Sequence, residues 1–161
     1  MLNRKTKYGL RAVLDLAREA GHGPVLVSDL AERQRIPQKF LEAILLDLKR
    51  HGLLQSRKGK GGGYLLLGEP DRITVGQVIR VLEGPLALVP CVSQMAYAPC
   101  EDCIDEATCP VRLAMLEVRE ATSHILDNMT LAGLNAQTQA SARRTARRTS
   151  RPARAAAGPR R

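Results

Sequence analysis

Apolar residues recur at helical spacing through the first third of the chain. Leu10, Val13, Leu14 and Ala17 fall at i, i+3, i+4 and i+7, which predicts a helix from about Thr6 to Ala20, ended by Gly21 and Gly23. Pro24 opens a short extended stretch, Val25-Leu26-Val27. Ser28 then reads as the N-cap of a short helix from Asp29 to Gln34, with the Asp29 charge suited to its first turn. Arg35-Ile36 interrupts the pattern. Pro37, tolerated at a first helical position, opens a third helix reaching about His51, with Leu41, Ile44, Leu45 and Leu48 on one face and Gly52 as a left-handed C-cap.

The period then changes from helix to strand. Leu53-Leu54-Gln55-Ser56 and Tyr64-Leu65-Leu66-Leu67 flank the tip RKGKGGG and predict a β-hairpin, whose glycines permit positive φ and close backbone approach. Thr74 caps a fourth helix carrying Val75, Val78, Ile79 and Leu82, which Gly84-Pro85 ends. Residues 86–110 read as an irregular loop. Beyond Pro110 a heptad-like seam of Val111, Met115, Val118, Thr122, Ile125 and Met129 predicts a long helix suited to pairing with a partner copy, the alternative being packing against the first helix. Residues 135–161 hold almost no large apolar side chain and are expected to be disordered. The expected fold is mainly α: 1–84 as one small domain with a β-hairpin, 85–110 as a loop, 111–134 as a dimerisation helix and 135–161 as a tail.

Charge divides unevenly along this plan. Residues 1–67 carry 13 Lys/Arg against 6 Asp/Glu, residues 68–134 carry 4 against 10, and residues 135–161 carry 8 Arg and no acid. The basic front half points to a polyanionic partner. With aromatics at only 2%, the core must be aliphatic. No apolar run approaches the roughly 20 residues of a membrane span, and the N-terminus has no apolar stretch after its basic residues, so a cytosolic protein is expected.

Two short helices, a tight turn and a basic glycine hairpin form the plan of a winged helix-turn-helix, in which the second of the paired helices offers its N-terminal end to base edges. Gln38, Lys39 and Glu42 project near that end; Gln pairs with adenine, Lys with guanine, and Glu accepts from cytosine. Arg57, Lys58 and Lys60 at the hairpin tip suit phosphates or a minor groove. Ser28 and Tyr64 complete the candidate DNA-facing set.

All four cysteines, Cys91, Cys100, Cys103 and Cys109, lie in one loop with the spacing C-x8-C-x2-C-x5-C. In a reducing compartment such clustering points to metal rather than disulfides. Thiolates so placed can converge on a 2Fe–2S or 4Fe–4S cluster or on a tetrahedral zinc ion, and a thiol switch between Cys100 and Cys103 stays open beside them.

The stretch Tyr8-Gly9-Leu10-Arg11-Ala12, the run SDLAERQRIPQKFLEAILLDLKRHGLL, the wing KGKGGGYLL and the segment ITVGQVIRVLEG together resemble the IscR/NsrR/CymR family of bacterial winged-helix regulators, over about residues 1–134. The resemblance implies a homodimer on a near-palindromic DNA operator, with long helices crossing at the interface. It carries base reading to Lys39 and Glu42 and a wing contact to Lys58, where the best-known member has arginine. It implies an iron–sulfur cluster held by Cys91, Cys103 and Cys109. A histidine ligand of one member class falls at Arg112 here, and the aspartate of another falls among Lys5, Lys7 and Tyr8. Cys100 is then the most economical fourth ligand, or a spare beside an outside group.

An enzyme, such as a thiol oxidoreductase using Cys100-x2-Cys103, is disfavoured because no strand–CxxC–helix context or acid–base pair accompanies it. A partner-binding adaptor without DNA is disfavoured by the positive wing. The arginine-rich tail reads either as a solvated extension or as a source of sequence-independent DNA affinity.

Overall fold

The computed structural model describes residues 2–149, as six helices, a two-stranded sheet and one 3-10 turn. Helix α1 runs Arg4–Arg18; its N-cap Asn3 accepts from the Thr6 amide at 2.8 Å. Its buried face is Thr6, Gly9, Ala12, Val13, Asp15 and Leu16, while Leu10, Leu14 and Ala17 are only partly covered. The expected stripe is therefore rotated, because helices pack on α1 from several sides and centre its buried arc on Val13 and Leu16.

Helix α2 is Val27–Gln34 and α3 is Gln38–Arg50. The expected Ser28 cap is corrected: Leu26 is the N-cap, with no side-chain bond, and Ser28 lies inside the first turn with its hydroxyl on Asp29 Oδ1 at 3.0 Å. The reason is tertiary. Val25 exchanges both backbone hydrogen bonds with Tyr64 of the sheet, at 2.9 Å each, and the chain turns into helix immediately afterwards. Pro37 likewise is the N-cap of α3 rather than its first residue. Between the two helices Arg35 takes a left-handed conformation, φ 50° and ψ 50°, with its amide on the carbonyl of Glu32.

Strands β1 (Leu54–Arg57) and β2 (Gly63–Leu66) pair antiparallel, Leu54 opposite Leu66 and Arg57 opposite Gly63. Gly63 has φ +147°, and a Cβ there would run into the Val25 carbonyl, so the close approach of the third segment requires glycine. Helix α4 (Val75–Leu82) carries a complete Thr74/Gln77 capping box.

After a 3-10 turn at Pro90–Val92, helix α5 spans Pro110–Asp127 and α6 spans Leu131–Thr149. The seam thus breaks before Met129, which lies in the joint and accepts from the Val75 amide at 2.8 Å. Helix α5 packs chiefly on α4 and the 3-10 turn, whereas α6 packs on α1. The disorder expected from Asn135 is also corrected. Leu131 is fully buried, worth about 1.5–3 kcal/mol. From that anchor the Ala-, Gln- and Arg-rich sequence propagates a helix without a second nucleation cost. The remainder of the tail, 150–161, lies outside the described residues.

The core joins Val13, Leu30, Leu41, Ile44, Leu45, Leu48, Leu54, Val78 and Leu131. Among the described residues no helix is long and apolar enough to cross a membrane.

Candidate nucleic-acid interface and cysteine site

With Leu41, Ile44, Leu45 and Leu48 turned inward, the opposite face of α3 leaves Gln38, Lys39 and Glu42 exposed at its N-terminal end. Gln38 Nε2 donates to Glu42 Oε1 at 2.9 Å, one helical turn apart, so these two form a preset polar pair. Lys39 makes no ion pair within the described chain and is free to take an acceptor. At the hairpin tip Arg57, Lys58 and Lys60 are exposed. Ser28 is exposed on α2, whereas Tyr64 is half-buried against the core. The structure therefore places Gln38, Lys39 and Glu42 together on the second helix and the three wing cations on a separate projection.

A set of residues that sequence reasoning passed over holds this pair of helices in place. Asp15 is buried on α1 and accepts from Gln34 Nε2 at 2.9 Å and Arg33 Nε at 3.4 Å. Arg11 donates to the Gln34 carbonyl, and its guanidinium stands 5.8 Å from the centre of the Tyr8 ring. Tyr8 meets Phe40 of α3 edge-on at 5.9 Å. Lys5 ties to Asp47 of α3 at 2.7 Å and holds its carboxyl below the usual range. A visible signal existed: Asp15 is an acid set between the apolar Val13, Leu14 and Leu16.

The cysteines gather around one cavity of about 450 Å³ at the junction of the 3-10 turn and α5. Cys91 is buried on that turn, and its sulfur lies 4.0 Å from that of Cys100. The Cys103 amide donates to the Cys100 carbonyl at 3.2 Å. Cys109 is the N-cap of α5, its sulfur accepting from the Arg112 amide at 3.5 Å. The thiol contact in the structure is thus Cys91–Cys100, and the Cys100–Cys103 switch stays open beside it.

Arg112, at the position of the resembled histidine ligand, is engaged elsewhere: its Nε donates to Glu106 Oε1 at 2.8 Å. Tyr97 donates to Glu106 Oε2 at 2.7 Å. These two bonds, Tyr97 first, hold the Glu106 carboxyl below its ordinary value. The neighbouring Cys91 thiol and desolvation push Cys100 up; desolvation and the Cys109 charge push Cys103 up.

Four thiols lining one cavity suit a soft metal centre by donor type. Among the described residues, no three His, Cys, Asp or Glu side chains are already gathered as a ligand set. The sulfurs share a place but are not preset at ligand distances.

A two-helix reading unit, a basic hairpin and a separate long helix define a winged helix-turn-helix regulator. The chain belongs to the Rrf2 family: the family model described as an iron-dependent transcriptional regulator matches residues 2–137. It is 40% identical over 134 residues to an Rrf2-like HTH-type regulator of Rhodobacter capsulatus, covering 81% of this chain and 89% of that one. It is 35% identical over 133 residues to the HTH-type transcriptional regulator IscR of Erwinia tasmaniensis, covering 83% of this chain and 77% of that one. Among solved structures it is similar to CymR, titled the global cysteine regulator of B. subtilis, with 34% identity, a TM-score of 0.70 and coverage of 85% and 97%. It is also similar to T. potens IscR, with 32% identity, a TM-score of 0.69 and coverage of 86% and 88%. Its relatives are transcriptional regulators rather than enzymes.

Proposed function

We propose that this HTH regulator acts as a homodimer on an operator and reads iron–sulfur, redox or nitric oxide status through Cys91, Cys100, Cys103 and Cys109. The observation that carries this is the convergence of all four cysteines on one cavity at the start of α5. Those four side chains would hold a 2Fe–2S or 4Fe–4S cluster. When bound, the cluster supplies a centre that gains or loses an electron or is lost to oxidants and nitric oxide. Zinc is the competing occupant of a four-thiol site.

The chain's own residues supply the relay. Cys109 caps α5, so drawing its sulfur inward moves the helix at its first turn. Helix α5 packs on α4, whose C-cap Glu83 accepts from the Thr6 hydroxyl at 2.5 Å and from the Asn3 amide at 3.2 Å at the head of α1. From α1 the Asp15, Arg11 and Lys5 contacts reach α2 and α3. Two arrangements of this stack, favoured differently by the loaded and empty site, are what coupling requires. Dimerisation is supported by Val111, Leu113, Val118 and Ile125, which stay exposed on α5 in the single chain. On DNA, Gln38, Lys39 and Glu42 face bases, with Ser28, Arg57, Lys58, Lys60 and Tyr64 around the phosphates.

Anaerobic purification followed by a visible spectrum and iron and sulfide analysis tests the cofactor. A coloured protein with iron and acid-labile sulfide, lost in Cys103→Ala and Cys109→Ala, is expected. A colourless protein with one zinc per chain contradicts it.

A further inference from the structure

The distal half of α6 belongs to neither the recognition helix, the wing nor the cysteine cavity. At 1.5 Å per residue its 19 residues extend about 28 Å. Its first turns are held to the body: Leu131 is buried, and Asn135 donates to the Leu14 carbonyl at 2.9 Å and accepts from Arg18 Nε at 3.1 Å. From Ala136 to Thr145 every residue is exposed. The family match ends at residue 137, so this segment lies beyond the part shared with the family model.

Its composition excludes an apolar partner. Positions 136–149 contain no Leu, Ile, Val, Met or aromatic residue, so neither a coiled coil nor a hydrophobic groove has an anchor. After Asp127 the sequence has 8 Arg and no acid. On a 3.6-residue helix, positions 143, 144, 147 and 148 fall within an arc of roughly 140°. Arg143 and Arg144 have no acidic partner among the described residues. Such a face is complementary to a polyanion, and the planar guanidinium matches phosphate in particular.

The helix also leaves the body in a suitable place. It passes Ala17 and Arg18 at the C-terminal end of α1, beside a groove that Glu69, Asp71, Arg72 and Gln139 also line. That end of α1 faces Tyr64–Leu67 of the wing across a neighbouring cavity. The first turns of α6 therefore lie beside the wing-side end of α1, at the opposite end of α5 from the cysteines.

We infer that the arginine face of α6 is a second, sequence-independent DNA contact that takes the phosphate backbone of duplex flanking the operator. This rests on the DNA-binding reading above and extends it beyond the recognition helix and wing.

The test uses the full chain and a variant with Arg143, Arg144, Arg147 and Arg148 all changed to Gln. Both are titrated with a mixed-sequence duplex of about 30 bp at salt from about 50 to 200 mM. The slope of log K against log salt should fall in magnitude by about 2–4, with tenfold or more loss of affinity at low salt. The matching Arg→Lys variant should keep the slope. Preference for an operator selected from a random duplex pool over mixed sequence should survive in the Gln variant. Equal slopes for wild type and Gln variant overturn the inference and leave recognition by α3 standing. Failure of the wild type to bind any duplex overturns the DNA-binding reading itself. Tighter binding to phosphatidylserine/phosphatidylcholine vesicles than to duplex, lost in the Gln variant, also overturns the inference.

Discussion

Asp127, the last residue of α5, accepts from both terminal guanidinium nitrogens of Arg80 on α4, at 2.5 and 2.7 Å. This pair clamps the far end of the helix that starts at Cys109 to the helix that caps α1. Gly76 makes room for it, since a Cβ there would strike the Asp127 carboxylate. The Arg80 hydrogen bond holds the Asp127 carboxyl below its ordinary value of about 3.9. Its stabilisation is therefore full above that ordinary value and is lost as pH falls through the lowered one. Because the Asp127 side chain is 41% exposed, screening limits the pair to about 0.5–1 kcal/mol. Urea unfolding should show Asp127→Asn less stable by that amount at neutral pH. The gap should close only below about pH 4.

Gly63→Ala should be markedly more damaging than Gly59→Ala. Both positions have positive φ, +147° and +95°, but open space surrounds Gly59, whereas Gly63 abuts the Val25 backbone. The Gly59 change should cost about 1 kcal/mol from its dihedral alone. The Gly63 change should cost about 2 kcal/mol or more, because the Val25–Tyr64 bridge must open. Paired thermal melts of the two variants check this.

Lys39 and the wing lysines should separate in their effects on DNA. Lys39→Ala should relax discrimination at one operator position, by about 1–3 kcal/mol. Lys58→Gln and Lys60→Gln should weaken all duplexes alike, each lowering the salt slope by about 1. Competition titrations with single-base operator variants read both outcomes.

Placing charge on the exposed face of α5 should dissociate the dimer. Val118 and Ile125 are 42% and 57% exposed in the single chain. Sedimentation of Val118→Asp/Ile125→Asp should show monomer with an unchanged far-UV spectrum. A persisting dimer would move the interface elsewhere.

Much of this was legible in the sequence, and the exceptions share a cause. The inward face of α3, the Thr74 cap and the glycine hairpin are local signals, and the structure has them. Ser28 looked like a cap by local rules, but the Val25–Tyr64 bridge decided where α2 begins. Composition alone argued for disorder after Asn135, yet the burial of Leu131 and the bonds of Asn135 come from distant segments. The Asp15–Gln34–Arg11 lock likewise depends on packing that no periodicity displays. For the cysteines, spacing showed that they cluster, while the contact of Cys91 with Cys100 required the fold.

The state of the cysteine cavity should set DNA affinity. The most direct test is affinity for an operator selected from a random duplex pool, measured anaerobically with the protein as purified and again after iron is removed by chelation. A change of about tenfold or more, equivalent to about 1.4 kcal/mol, is expected, and it should be absent in Cys109→Ala. Equal affinities for the two forms of the wild type would contradict it.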